Sequence, residues 1–158
     1  CAITNPTVNS YKRINAAVTL SGATWSPNTV TFTGNNRTHM IRVPEGGRFE
    51  FRLPDGAANP YLMPAVLLAA GLDGMAKKTD PGEPLHINMY TEGHKAPKDV
   101  KKLPLNLLDA VRLLDKSTVL RGALGDELVD AYVKLRTGDW NNYTRHLSQW
   151  ERDNTLDC

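Results

Sequence analysis

At Asp55-Gly56 the chain changes its periodicity, and that switch restricts the folds open to it more than any other feature. Upstream, Val18-Thr-Leu20, Val30-Thr-Phe32, Met40-Ile-Arg-Val43 and Arg48 to Leu53 favour strands, and they are parted by turn-forming Ser-Gly, Ser-Pro-Asn, Gly-Asn-Asn and Glu-Gly-Gly. Downstream, apolar residues recur at helical spacing. Asn59 is placed to cap a helix and Pro60 fits its first turn, while Leu62, Val66, Ala69 and Ala70 carry the period up to Gly71. This helix is apolar on most sides and is expected to be buried. A Pro/Gly/Lys-rich stretch from Lys77 to Leu105 reads as a long surface loop. Three amphipathic segments follow: Asn106 to Lys116 (Leu107, Ala110, Val111, Leu114 on one face), Gly125 to Arg136 (Leu128, Tyr132, Leu135) and Asp139 to Arg152 (Trp140, Tyr143, Leu147, Trp150). The expected architecture is α+β: an antiparallel sheet from Ala17 to Leu53, backed by the Asn59 helix and the later helices.

The 158 residues suffice for one domain with a real core, sheet-rich over 1–55 and helical over 56–158. A formal charge of +2 is too small to imply a nucleic-acid partner by itself. The two cysteines, Cys1 and Cys158, sit at the ends. No internal disulfide framework exists, so a reducing, cytoplasmic setting is expected, with a bridge between the termini left open. The most apolar run, Leu62 to Leu72, is too short to cross a bilayer, and no membrane role is expected. Because the first residue is Cys rather than Met, the chain reads as a fragment of a longer polypeptide.

Within the strand-like region, Arg48, Glu50 and Arg52 alternate with Phe49, Phe51 and Leu53, so a strand here puts charge on one face and large apolar groups on the other. A solvated face with cross-strand ion pairs would account for the triplet alone. Arg13, Arg37 and Arg42 change the balance, because no Asp or Glu occurs between Arg13 and Arg42. So many guanidiniums without acids call for an outside anion, and the planar fork of arginine matches phosphate and carboxylate in two-point contacts. Glu50, kept ionised among arginines, would be a hard oxygen donor suited to Mg²⁺ or Mn²⁺.

Five stretches in order carry a family resemblance: Asn5-Pro-Thr-Val-Asn-Ser-Tyr-Lys-Arg13, Asn36-Arg37-Thr, Ile41-Arg-Val-Pro44, Arg48-Phe-Glu-Phe-Arg52, and Pro54-Asp-Gly-Ala-Ala-Asn-Pro-Tyr-Leu62 with Ala70-Gly-Leu-Asp-Gly74. Together they resemble the carboxyl-terminal catalytic domain of the glutamine synthetase family. The tail from Trp150 to Cys158 looks like the type III-like branch, near the γ-glutamylmethylamide synthetases. The resemblance implies that Arg13 holds the substrate L-glutamate. It implies that Arg37 contacts the transferring phosphoryl group and the glutamate γ-carboxylate, and that Arg42 and Arg48 hold ATP phosphates. Glu50 would ligate the divalent metal, and Arg52 would contact glutamate and the developing charge. The implied reaction is ATP-dependent ligation of ammonia to glutamate through γ-glutamyl phosphate, in ring-shaped homo-oligomers whose amino-terminal region, absent from this chain, supplies most metal-binding acids. With Glu50 alone, the isolated piece is expected to be inactive.

Two departures from the family pattern bear on the acceptor. No acid follows the Ser-Tyr-Lys-Arg motif in Ile14-Asn-Ala-Ala-Val18, and Ser21 to Asn28, with Trp25 and Pro27, offers a more apolar wall, which fits an alkylamine such as methylamine. The link from Val43 to Arg48 is short and lacks an adenine-side lysine. A reading of another class is a non-catalytic anion-binding or oligomerisation fragment; nucleic acid is disfavoured because the basic residues are not interleaved with aromatics. Tyr90 lies where some relatives carry a modified tyrosine, but its neighbours differ and a plain loop tyrosine is expected. His39, His86, His94 and His146 lack metal-ligand spacing, and Ser10, Ser21 and Ser26 lack a His/Asp arrangement. Gly46-Gly47 reads as a hairpin turn, and Lys95, Lys98, Lys101 and Lys102 as a solvated face.

Overall fold

The Glu-Gly-Gly-Arg stretch turns the chain back on itself between two strands. In the computed structural model, which describes residues 1–14 and 26–156, β2 (Ile41–Glu45) and β3 (Arg48–Phe51) run antiparallel across it. Gly47 takes φ +79°, a left-handed conformation that costs a glycine little. The register pairs Ile41 with Phe51 and Arg42 with Glu50, then slips by one residue before Glu45 meets Arg48. Pro44, which has no N–H to give to a ladder, lies in that irregularity.

The third strand departs from expectation. β1 (Phe32–Thr33) pairs with β2 in parallel, so the sheet, ordered β1-β2-β3, is antiparallel only in its β2–β3 half. The reason lies in residues 34–40, which do not form a hairpin. They loop back because their side chains bond to the 86–89 segment, and Ile41 N–H then donates to Thr31 O at 3.0 Å. The expected strand Val18-Thr-Leu20 lies outside the described residues. On the far side of β1, residues 28–30 pair with 101–103 through Val30 N to Lys101 O and Leu103 N to Asn28 O (2.8 and 2.9 Å), so the long loop closes against the sheet.

Helix α1 (Val8–Ile14) falls in the region expected to be sheet-rich, and seven residues are too few to hold a helix unaided. Its stability is tertiary: Ser10, Tyr11 and Ile14 are buried, and Thr7 and Ser10 exchange hydrogen bonds at the start. Helix α2 (Leu62–Ala76) begins where Asn59 Oδ1 accepts from Tyr61 and Leu62 N–H (2.9 and 3.0 Å), and it runs past Gly71 to Ala76. It is not buried. Only Val66 is buried, with Leu62 packed against the core, while Leu68 is 66% and Met75 69% exposed, and an apolar sequence cannot say whether anything covers it.

The loop of 77–105 contains a short helix, α3 (Met89–Glu92), and one 3-10 turn at Gly93–Lys95. α4 (Leu107–Asp115) buries Leu107, Ala110, Val111 and Leu114, the face that its spacing predicts. Between Ser117 and Gly125 the chain forms an additional helix, α5 (Thr118–Leu124), capped by Ser117 Oγ. α6 (Asp126–Thr144) is one helix of 19 residues that continues through Gly138 and joins two segments read as separate. Its inner face is also shifted by one residue: Val129 is buried with Tyr132, Val133 and Trp140 packed beside it, while Leu128 and Leu135 face outward. α7 (Gln149–Thr155) closes the described chain with a capping box, Ser148 and Glu151 each bonding the other's backbone N–H. The core gathers α1, the inner end of β3, Val66, α4 and Val129 of α6, and Tyr132 Oη donates to Ala2 O at 2.8 Å to tie α6 to the start of the chain.

Candidate active site

The site grows from the pleat of β3. Leu53 is buried and Phe51 packs against the core, which turns Glu50 and Arg52 to the opposite face; Phe49, at the exposed end of the hairpin, escapes the core. Cross-strand register then sets Arg42 beside Glu50, and Arg42 Nη1 donates to Glu50 Oε1 at 2.6 Å. Arg52 Nη1 approaches the other oxygen, Oε2, at 3.4 Å. The arginines are therefore not all without internal acids, as the sequence led one to expect: Arg42 and Arg52 share Glu50, and Arg48 pairs with Glu45 at 3.0 Å across the turn. The acids that the stretch from Arg13 to Arg42 lacks come from later in the chain.

Cationic capacity is nevertheless left over. Glu50 carries one negative charge between two guanidiniums. Arg52 Nε is buried without a partner, and Arg37 is exposed and bonds to no acid among the described residues. The Arg42 guanidinium, hydrogen-bonded to it, holds the Glu50 carboxyl below the usual carboxylate range, with Arg52 adding to the effect. Glu50 thus stays ionised and accessible, its side chain 38% exposed against 12% for Arg42.

Arg13 arrives from another element. The segment leading into α1 is tied to the segment leaving β3, where Asn5 Nδ2 donates to Leu53 O at 3.2 Å and Asp55 N–H to Thr4 O at 3.1 Å. This docking lets Arg13 Nη1 reach Pro54 O at 3.3 Å, two residues beyond Arg52. Arg37 comes from the loop between β1 and β2. The structure thus brings Arg42, Glu50 and Arg52 into one bonded group, with Arg13 anchored at its edge, Arg48 at the hairpin tip and Arg37 on a neighbouring loop.

Sequence reasoning missed several residues that shape this group. Asn35 Oδ1 accepts from Arg42 Nε at 3.0 Å and also from Arg42 Nη2, so Arg42 is clamped between Asn35 and Glu50. His39 is 0% exposed and its Nε2–H donates to Ile87 O at 2.9 Å. Burial pushes its pKa down, outweighing the opposite pull of its bond to the Ile87 carbonyl, and nearby His86 lowers it further, so His39 is a neutral core histidine. Asparagines beside an arginine are a usable signal; a contact 48 residues away is not.

Tyr90, in α3, has its Oη buried with no partner among the described residues. No three His, Cys, Asp or Glu side chains gather to hold a metal among the described residues. Lys95 pairs with Glu92 at 2.6 Å, and Lys98, Lys101 and Lys102 are exposed. Cys1 is a free, half-buried thiol, and Cys158 lies outside the described residues, as does most of the Ile14–Val18 and Ser21–Asn28 region read for the amine. No described helix is long and apolar enough to cross a membrane.

The family described as "Glutamine synthetase, catalytic domain" matches residues 1–155. The chain belongs to the glutamine synthetase family. A glutamine synthetase of Rhizobium leguminosarum bv. phaseoli is 64% identical over 156 residues, covering 99% of this chain and 36% of that protein. A glutamate–methylamine ligase of Methyloversatilis universalis is 46% identical, covering 99% of the chain and 35% of the ligase. The solved structure of a GmaS/ADP complex superposes with a TM-score of 0.90 at 60% identity, over 99% of this chain and 36% of that one. A Plasmodium falciparum glutamine synthetase, 20% identical over 98% of this chain and 38% of its own, shares the fold with a TM-score of 0.73. The chain thus spans about a third of the length of the curated relatives it matches, and the α+β architecture is that of the family's catalytic domains.

Proposed function

We propose that this chain is the carboxyl-terminal catalytic-domain portion of an ATP-dependent ligase that joins ammonia to the γ-carboxylate of L-glutamate through γ-glutamyl phosphate. The observation that carries the reading is the group on β2 and β3, one ionised carboxylate between two arginines with guanidinium donors to spare. Phosphoryl transfer asks little covalent help of a protein and much positioning and charge neutralisation. Arg42 and Arg48 hold the ATP phosphates in this reading. Arg37 meets the transferring phosphoryl group and the γ-carboxylate, while Arg13 and Arg52 hold glutamate.

A divalent ion fits the donor set in a limited way. Mg²⁺ is commonly held by one or two carboxylates together with substrate phosphates, and Glu50 supplies one such carboxylate, kept ionised by Arg42. When bound, Mg²⁺ or Mn²⁺ would neutralise charge on the phosphates. Glu50 is the one acidic ligand assigned in this reading, so the chain by itself is inactive, and the remaining acids belong to the amino-terminal region of a longer polypeptide that works as a ring-shaped, cytoplasmic homo-oligomer.

A second reading, a γ-glutamylmethylamide synthetase, draws on the likeness to the GmaS/ADP complex and to the methylamine ligase. The two share every residue role above and differ in the amine. Phosphate released from ATP by the full-length polypeptide carrying this chain, with glutamate and either ammonia or methylamine, separates them. Turnover favouring ammonia is the expected result, turnover favouring methylamine selects the second reading, and no amine-dependent turnover removes both.

A further inference from the structure

Arg37 sits at the centre of a hydrogen-bonded strap without taking part in it. On one side of it, Asn36 Nδ2 donates to Ile87 O at 3.0 Å; on the other, the Thr38 hydroxyl donates to Asn36 Oδ1 at 2.8 Å and accepts from Met89 N–H at 2.9 Å. Thr38 N–H also donates to Asn36 Oδ1 at 2.9 Å, and His39 Nε2–H shares the Ile87 carbonyl. The loop is therefore closed locally and stitched to a segment some 50 residues away in the chain. Met89 is the first residue of α3, so the hydroxyl of Thr38 satisfies an N–H that the helix cannot satisfy itself. Arg37 is exposed between these anchors. A loop residue spends backbone entropy each time it is ordered, and here that cost is met before any ligand arrives.

We propose that Thr38 is a positioning residue for Arg37: its hydroxyl, bonded at once to Asn36 and to the start of α3, fixes the backbone from which Arg37 meets the transferring phosphoryl group. The inference rests on the role given to Arg37 above. Contact made only as the phosphoryl group moves shows in kcat rather than in KM, and a group displaced by about 1 Å from its productive position can cost up to about 100-fold.

The test compares Thr38→Val, which keeps the shape and removes both hydroxyl bonds, with Thr38→Ser, which keeps the hydroxyl, in the full-length polypeptide assayed by phosphate release with ATP varied. The expected result is a kcat about tenfold or more lower for Thr38→Val with the KM for ATP little changed, and kcat restored in Thr38→Ser. Asn36→Ala, which cuts the strap at its other anchor, gives the same kcat loss and serves if Thr38→Val fails to fold. An unchanged kcat in the folded variants, alongside an inactive Arg37→Ala, overturns the inference and leaves the role of Arg37 standing. Full turnover in Arg37→Ala overturns that role and the inference with it.

Discussion

Acidification should loosen this fold in a window set by His39. The side chain is 0% exposed, its Nε2–H is spent on Ile87 O at 2.9 Å, and its Nδ1 has no partner among the described residues. Protonation would place a second N–H, and a charge, where nothing accepts them, which is why burial lowers the pKa from its ordinary 6.5. The unfolded chain takes up the proton at about 6.5 and the folded chain resists it, so stability is at full value above that pH and falls as the pH drops toward the folded pKa. One proton steepens the free energy of unfolding by at most about 1.4 kcal/mol per pH unit, so the loss attributable to His39 at pH 5 is at most about 2 kcal/mol. The carboxylates with lowered pKa, among them Glu50, Glu92 and Glu151, start from an ordinary value of 4.5 and act in a lower window. Urea midpoints at pH 8, 6.5 and 5, for the chain and for His39→Gln, isolate the effect. The variant should be weaker at pH 8, with the gap narrowing toward pH 5. A gap that stays constant across the range would refute the buried neutral imidazole.

Other expectations concern the packing and the surface. Leu107→Ala empties a fully buried position of α4 and should cost about 2–5 kcal/mol in denaturant unfolding, whereas Leu113→Ala, 61% exposed on the same helix, should stay within about 0.5 kcal/mol; equal losses would mean that α4 is turned differently. Arg121 binds Asp115, Asp126 and Asp130 at 2.6, 2.9 and 2.8 Å, so Arg121→Ala should lower the melting temperature by leaving three carboxylates facing one another, and added salt should recover part of the loss. A salt-independent loss would point to packing instead.

The sequence is most legible where one period decides one face. Leu107, Ala110, Val111 and Leu114 form the buried stripe their spacing predicts, the Gly46-Gly47 turn is a turn, and the alternation of Glu50 and Arg52 with Phe51 and Leu53 sets the site face. Elements held together by distant partners are not legible. The helices α1 and α5 are seven residues each, too short for a strong pattern, and their stability comes from what they touch. Gly138 looks like a break, yet its cost of about 1 kcal/mol is tolerated within a 19-residue helix that seats Trp140 against the core. The face of α6 slips from Leu128 to Val129 because both phases of the pattern are apolar. At the site, counting acids along the chain suggested unpaired arginines, but strand pairing delivers Glu50 to Arg42 across the sheet, and Arg52 meets it from two residues further along the same stretch. The clamp by Asn35 and the strap to Ile87 and Met89 depend on residues whose proximity only the folded chain reveals.

The central claim is that the carboxylate between Arg42 and Arg52 belongs to a phosphoryl-transfer centre. Its most direct test is the glutamate- and amine-dependent release of phosphate from ATP by the full-length polypeptide, measured across Mg²⁺ concentrations for the native sequence and for Glu50→Gln. Glu50→Gln, which keeps the size and a hydrogen-bond acceptor for Arg42 but removes the charge, should lose turnover or need far more Mg²⁺ to reach it. Native turnover with an unchanged Mg²⁺ requirement would show that Glu50 only pairs with its arginines, and would contradict a role for it in phosphoryl transfer.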